Sequence, residues 1–215
     1  LRANGSTIAT RTVQIDCKAE NLHSGFCYIL IFPYPIADDD GVKGLVYVWI
    51  GSQAKETEAE IAQSVAQELL TPQDYKVVSL KEGKEPEDFW EGLGGKKPYE
   101  TNSDFMNYSR LFRCTNEKGF FSVSEKTIDF CQDDLDDDDI MILDSGENVF
   151  IWIGSRSSEV EVKLAYKAAQ VYIQHMRLKQ PDRPRKLLVT LKNKESKRFK
   201  KCFHGWSKHK VAAGD

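Results

Sequence analysis

The sequence holds five cysteines, at positions 17, 27, 114, 131 and 202, and no C-x-x-C pair. That odd number and spacing builds neither a disulfide framework nor a zinc ribbon, so reduced thiols of an intracellular protein are the default expectation. Long apolar runs are missing as well. The longest, Phe26 to Ala37, has 12 residues broken by prolines. Spanning a bilayer takes roughly 18–20, so a transmembrane chain is not expected. Leu1 to Gln14 has no apolar segment of the signal-peptide kind. The first residue is not Met, which suits an excised piece of something longer.

Catalytic sets are missing too. Gly95-Lys96 fails as a P-loop, because Trp90 stands where the leading Gly belongs and Lys97 where Ser or Thr belongs. No G-x-S-x-G elbow occurs. Four histidines (His23, His175, His204, His209) are scattered. A non-enzyme is expected. An EF-hand starting at Asp134 is excluded, since its sixth position is Asp139 rather than Gly and its twelfth is Ser145 rather than Glu.

What is present is enough apolar material, 40% against 29% charged, for a packed core in a chain of 215 residues. The net charge of −3 conceals a polarity. Residues 181–210 carry eleven Lys or Arg against two acids, while Asp129 to Asp144 contains eight aspartates and no base. A solvated basic face is the plain explanation of the tail. Its lysines and arginines (Lys192, Lys194, Lys197, Arg198, Lys200, Lys201) could also meet phosphoinositide headgroups or an acidic protein surface. Nucleic acid is not expected, because the bases lack interleaved aromatics at stacking spacing and the overall balance is acidic.

The most informative feature is self-similarity. Val46 to Ser52 reads VYVWIGS and Val149 to Ser155 reads VFIWIGS, an offset of 103. At the same offset Glu58 meets Glu161, Ala62 meets Ala165 and Ala66 meets Ala169. Upstream, FCYIL (26–30) corresponds to DIMIL (139–143), the first copy carrying ten extra residues between the two strands. Downstream, KVVSL (76–80) matches KLLVT (186–190), and Phe89 matches Phe199. A period near 100 is too long for a solenoid and predicts two homologous domains in tandem. Each copy reads strand, strand, helix, strand, helix. The apolar stripes predicted for the long helices are Ile61, Val65, Leu69 and the alanines between them in copy one, and Val160, Leu164, Ala168, Val171 and Tyr172 in copy two. The small Ala62, Ala66, Ala165 and Ala169 would let each helix lie close to a sheet. Trp49 and Trp152 read most simply as core residues at strand ends. The fold class is α+β, a mixed sheet with helices against it. The expected boundaries are a domain over 1–95, a linker over 96–108 and a domain over 109–215.

The VFIWIG strand, the glutamate seven residues past its Gly and the preceding DDIMILD resemble gelsolin-like domains of the gelsolin/villin superfamily. SRLFRCTNEKGFFSV, DFCQDDLDDDDIMILD, KAAQVYIQHMR and CFHGWS resemble its flightless branch more than gelsolin or villin themselves. The resemblance covers nearly all of both copies. It implies two tandem gelsolin-like domains, of fifth and sixth type, each a mixed five- to six-stranded sheet between a long and a short helix. It further implies actin as partner, a place in the cytoplasm on the actin cytoskeleton with the nucleus also open, and calcium. The family's calcium ligands map in copy two to the Asp138 carbonyl, the Asp139 carboxylate and Glu161, a site expected to be weak. Each has a plain alternative: Ser158 to Glu161 has capping-box form, and the aspartates suit a solvated loop. In copy one the positions fall on Gly25, Phe26 and Glu58. A phenyl ring cannot ligate calcium, so that site is expected to be degenerate. Asp38-Asp39-Asp40-Gly41 reads as a turn. Two functions follow: an actin-remodelling module whose domain packing calcium adjusts, or a scaffold that docks other proteins and remodels actin little.

Overall fold

A computed structural model describes residues 12–33, 44–69, 75–126, 130–203, 205 and 206. The chain divides into two compact units, Leu1–Ser103 and Asp104–Asp215. The Asp38–Gly41 turn, His204 and His209 lie outside the described residues.

In the first unit β1 (Cys27–Phe32) runs antiparallel to β2 (Gly44–Ile50). The helix α1 (Glu56–Leu69) then returns the chain, so that β3 (Tyr75–Lys81) pairs parallel with β2, and α2 (Glu87–Gly92) closes the unit. The strand alternation sorts the core into two layers. Val46 and Val48 pack with Ala62 and Ala66 of α1, while Tyr47 and Trp49 pack with Phe89 and Trp90 of α2. Each such large apolar side chain taken from water is worth about 1.5–3 kcal/mol. Tyr99 joins the second layer edge-on to Trp49, with ring centroids 5.8 Å apart. The Ser24 amide donates to the Glu100 carbonyl at 3.0 Å, so much of the 96–108 segment is bound into this unit.

The second unit repeats that order after an added hairpin. β4 (Arg110–Thr115) pairs antiparallel with β5 (Ser122–Glu125) and with β6 (Ile140–Asp144). β6 runs antiparallel to β7 (Asn148–Ile153), α3 (Glu159–Lys179) follows, and β8 (Lys186–Leu191) pairs parallel with β7 before α4 (Lys197–Lys200). Ile140, Ile142, Val149 and Ile151 face Ala165 and Ala169 of α3, and Met141, Leu143, Phe150 and Trp152 face Phe199 of α4. Both sheets therefore lie between a long and a short helix. The second has five strands; among the described residues the first has three, because Thr12–Lys18 runs without strand pairing.

The helix stripes agree with the sequence pattern at the alanines and differ from it at three of the larger residues. The alanines face the sheet, with Glu58 and Glu161 in the same row. Leu69, Val160 and Val171 point to solvent. A helix lying close over a flat strand face has room for Ala at its line of contact, so the bulkier residues move to the flanks. None of the five cysteines is in a disulfide. Burial pushes the Cys27 thiol up to about 11 and Cys114 up to about 12.

Candidate functional site

The long helix and the central strand meet at one corner in each unit, and the sequence makes that corner from a glycine. In the second unit Gly154 follows β7, and its amide donates to the Asp139 carbonyl at 3.1 Å. The Arg156 amide donates to the Asp137 carbonyl at 2.9 Å. A Cβ at Gly154 would stand 2.4 Å from the Asp137 carbonyl oxygen, so only glycine fits. The first unit repeats the cradle. Gly51 donates to Phe26 at 3.1 Å and Gln53 to Ser24 at 2.9 Å, and a Cβ at Gly51 would stand 2.2 Å from the Ser24 oxygen.

A second repeated device ties the other side of the corner. The Trp49 indole donates to Glu85 Oε1 at 2.8 Å, and Trp152 donates to Glu195 Oε1 at 3.0 Å. The same carboxylate oxygen accepts the Gly83 amide in one unit and the Asn193 amide in the other, at 2.8 and 2.9 Å. Both turn residues sit at positive φ, 82° and 65°. The tryptophans are thus core residues with a polar anchor, which a buried indole N–H requires. The Glu85 and Glu195 partnership was absent from the sequence reading, although the 110-residue offset that relates Phe89 to Phe199 relates these two as well.

On this common frame the two corners carry different side chains. In the second, three successive aspartates each meet a cation. Asp137 pairs with Lys192, Asp138 with Arg156 (2.6 and 2.9 Å to the two carboxylate oxygens) and Asp139 with Arg113. Asp139 is 2% exposed, whereas the Asp138 side chain is 63% exposed. Burial pushes the Asp137 carboxyl up, yet the Lys192 ammonium and the Ser155 donors together outweigh it and hold the group below its ordinary range. Arg156 lowers Asp138 likewise, and the Asp139 carboxylate raises Arg113. Glu161 is buried at the first turn of α3 and fully engaged by the chain. Its Oε2 accepts the Ser158 amide and hydroxyl at 2.9 and 2.8 Å, and its Oε1 accepts the Asn116 amide at 3.3 Å. The Glu161 amide in turn donates to Ser158 Oγ at 3.3 Å, completing the capping box.

The residues expected to hold calcium in copy two therefore share a corner but do not fit the ion as they stand. Calcium asks for six to eight oxygens, and among the described residues no three His, Cys, Asp or Glu side chains come together as a metal-holding group. Donors of the chain already occupy the buried carboxylates.

In the first corner Ser24, Gly25 and Phe26 replace the three aspartates. Phe26 is buried with its ring 4.8 Å from that of His23, and Glu58 is buried opposite the strand in the first turn of α1. The cation of β8 is exchanged for an anion. Glu82, which corresponds to Lys192, accepts Ser24 Oγ at 2.7 Å, the Ser52 amide at 2.6 Å and Tyr99 Oη at 3.0 Å. Burial raises the Glu82 carboxyl and these donors more than reverse the effect.

The basic segment is partly committed inside its own unit. Lys192 holds Asp137, Lys200 lies 5.4 Å over the Trp206 ring and Lys201 lies 5.2 Å over Phe105. The second unit also closes its far end with a buried pair that the sequence reading did not single out. Arg185 Nε donates to Asp144 at 2.9 Å, the two side chains being 1% and 0% exposed, and Tyr172 Oη donates to the same carboxylate at 2.7 Å.

Comparison with known proteins places this geometry. Residues 121–200 match the family model Gelsolin repeat, and residues 9–96 match Domain of unknown function (DUF7904). The chain is 60% identical over 212 residues to Protein flightless-1 of Drosophila melanogaster, covering 98% of this chain and 17% of that protein. It is 47% identical over 208 residues to the Homo sapiens Protein flightless-1 homolog, covering 96% and 16%. It is 36% identical over 206 residues to Gelsolin of Gallus gallus, covering 92% and 24%. The chain thus spans about one sixth of the length of its flightless-1 relatives. A solved Thorarchaeota 2DGel3/rabbit actin complex aligns over 84% of this chain and 88% of that chain, at 20% identity and a TM-score of 0.39, too low to bear on the reading. With a gelsolin repeat matched over 121–200, the same corner rebuilt around Gly51, and identity to flightless-1 and gelsolin sequences along almost its whole length, the chain belongs to the gelsolin superfamily.

Proposed function

We propose that the chain is a non-enzymatic actin-binding and actin-remodelling module within a longer gelsolin-family protein, working in the cytoplasm on the actin cytoskeleton and, through such a protein, also in the nucleus. The observation that carries this reading is the pair of gelsolin-type units built on one glycine-cradled corner, in a chain whose relatives are flightless-1 and gelsolin. Calcium at Asp138, Asp139 and Glu161 is not needed for this reading. Arg113 and Ser158 hold the carboxylates that the ion needs, and the first corner offers only the Gly25 carbonyl and Glu58. Phosphoinositide headgroups would find Lys194, Lys197 and Arg198 of the basic segment, since Lys192, Lys200 and Lys201 have contacts within the unit.

A second reading, docking of other proteins with little actin remodelling, is favoured by one observation: among the described residues no three His, Cys, Asp or Glu side chains come together as a group through which an ion could drive domain rearrangement. Sedimentation with actin filaments, paired with a monomer-binding titration, tests the first reading and separates the two. Binding in either assay, together with an altered polymerisation rate, is expected. No binding in both assays overturns the actin reading and leaves the docking one.

A further inference from the structure

The family corner asks for a cation between the start of a central strand and the start of the long helix, and in the second unit the chain supplies cations of its own. We infer that Arg113 stands in for the divalent ion at Asp139, so that the strand–helix corner of the second unit is closed without calcium. The inference is independent of the actin reading, since it concerns only what neutralises this corner.

Asp139 is almost wholly buried at the start of β6, and a buried carboxylate is tolerated only with a counter-charge and hydrogen bonds. Arg113 provides both. It lies on β4, beside β6, where Arg113 and Met141 are paired in register, and its Nε donates directly to Asp139 Oδ2. The other end of the guanidinium reaches Glu117 at 3.3 Å, so it bridges the strand to the turn that follows β4. That turn is itself joined to the helix, because the Asn116 amide donates to Glu161. A continuous path therefore runs from Asp139 through Arg113 and the Asn116–Glu117 turn to Glu161, the two carboxylates that a calcium ion would link. The flanking charges are settled in the same way. Lys192 from the end of β8 takes Asp137 and Arg156 takes Asp138, and both lie on the aspartate run that would otherwise draw a cation. Each of the three successive aspartates thus meets a cation of the chain, and Arg113 already answers the buried Asp139 carboxylate that an ion would need. Divalent affinity follows ligand charge, so matching these aspartates weakens the drive for binding. The arrangement also explains how the corner holds its shape: Arg guanidinium pairs carboxylates with fixed geometry and cannot lose its charge at accessible pH.

The test is thermal melting and calorimetric titration of the whole chain, in calcium and in EDTA. The wild type is expected to melt at the same temperature in both and to show no saturable heat up to about 1 mM calcium, the weak end of protein calcium sites. A calcium-dependent rise in its melting temperature overturns the inference without any variant. Arg113→Gln keeps a donor but removes the charge. It is expected to melt lower than wild type in EDTA and to recover in calcium. A folded Arg113→Gln protein that ignores calcium overturns the inference, because Arg113 would then be an ordinary ion pair. Should Arg113→Gln fold only poorly, refolding in calcium is the readout: recovery supports the inference and its absence overturns it. Arg113→Lys retains the charge and is expected to stay silent to calcium; a response there would show that charge is not what closes the corner.

Discussion

The two units use one backbone and two chemistries. Gly51 and Gly154 cradle the same carbonyls, Trp49 and Trp152 are anchored by the same glutamate one turn beyond the next strand, and Phe89 and Phe199 meet Tyr47 and Phe150 edge-on at 5.8 and 5.4 Å. Around that frame the charges are reversed: Glu82 gathers neutral donors in the first corner, and Lys192 answers Asp137 in the second. The fold is therefore carried by glycine, tryptophan and small helix residues, and the acidic run of the second unit is an addition that must be neutralised locally.

The sharpest way to break the comparison is at the feature that only one unit has. Arg185→Ala strips the counter-charge from fully buried Asp144 and is expected to cost the second unit about 3–5 kcal/mol while sparing the first. Hydrogen exchange followed peptide by peptide in denaturant reads the two units separately. Equal loss in both would show that they do not unfold independently. Next come the shared glycines. Gly51→Ala and Gly154→Ala force a Cβ against backbone oxygen and should each destabilise its own unit by about 1–3 kcal/mol, to similar extents. A large asymmetry in the same exchange measurement would deny that the two cradles are equivalent.

Glu85→Ala and Glu195→Ala leave a buried indole N–H and a turn amide without their acceptor, for about 1–2 kcal/mol each, visible as a shift of the urea midpoint. The pH response sharpens the charge reversal. The folded Glu82 carboxyl lies below its unfolded value, so its contribution is present above about pH 4.3 and is lost as the pH falls through the folded value. Glu82→Gln is expected to flatten the acid loss of stability of the first unit and leave that of the second, where Asp137 titrates instead. The smallest effect belongs to Asp138→Asn. That side chain and Arg156 are both exposed, and the melting temperature should scarcely move.

How much of this was legible in the sequence depends on how far the partners lie apart. The duplicated VYVWIGS and VFIWIGS carried the strand, the Gly that ends it and the following helix, because those are local, and the α+β class followed, while the sandwich between a long and a short helix came from the family resemblance. The small Ala62, Ala66, Ala165 and Ala169 were legible as the row that lets each long helix lie close to its sheet, whereas the apolar stripe was drawn too wide, since Leu69, Val160 and Val171 point to solvent. Arg113 was invisible for a different reason. Its meeting with Asp139 depends on β4 lying beside β6 in one register, and nothing in the residues near either position specifies that pairing. The glutamates that anchor the tryptophans were legible in principle through the 110-residue offset.

The most direct measurement of the central claim, one frame with a self-neutralised second corner, is hydrogen exchange at the two strand–helix corners with and without calcium. Protection of the Gly51 and Gly154 amides, and of Asn116 and Glu161, should be the same in both conditions. A gain of protection on adding calcium, confined to Asn116, Gly154 and Glu161, would contradict it.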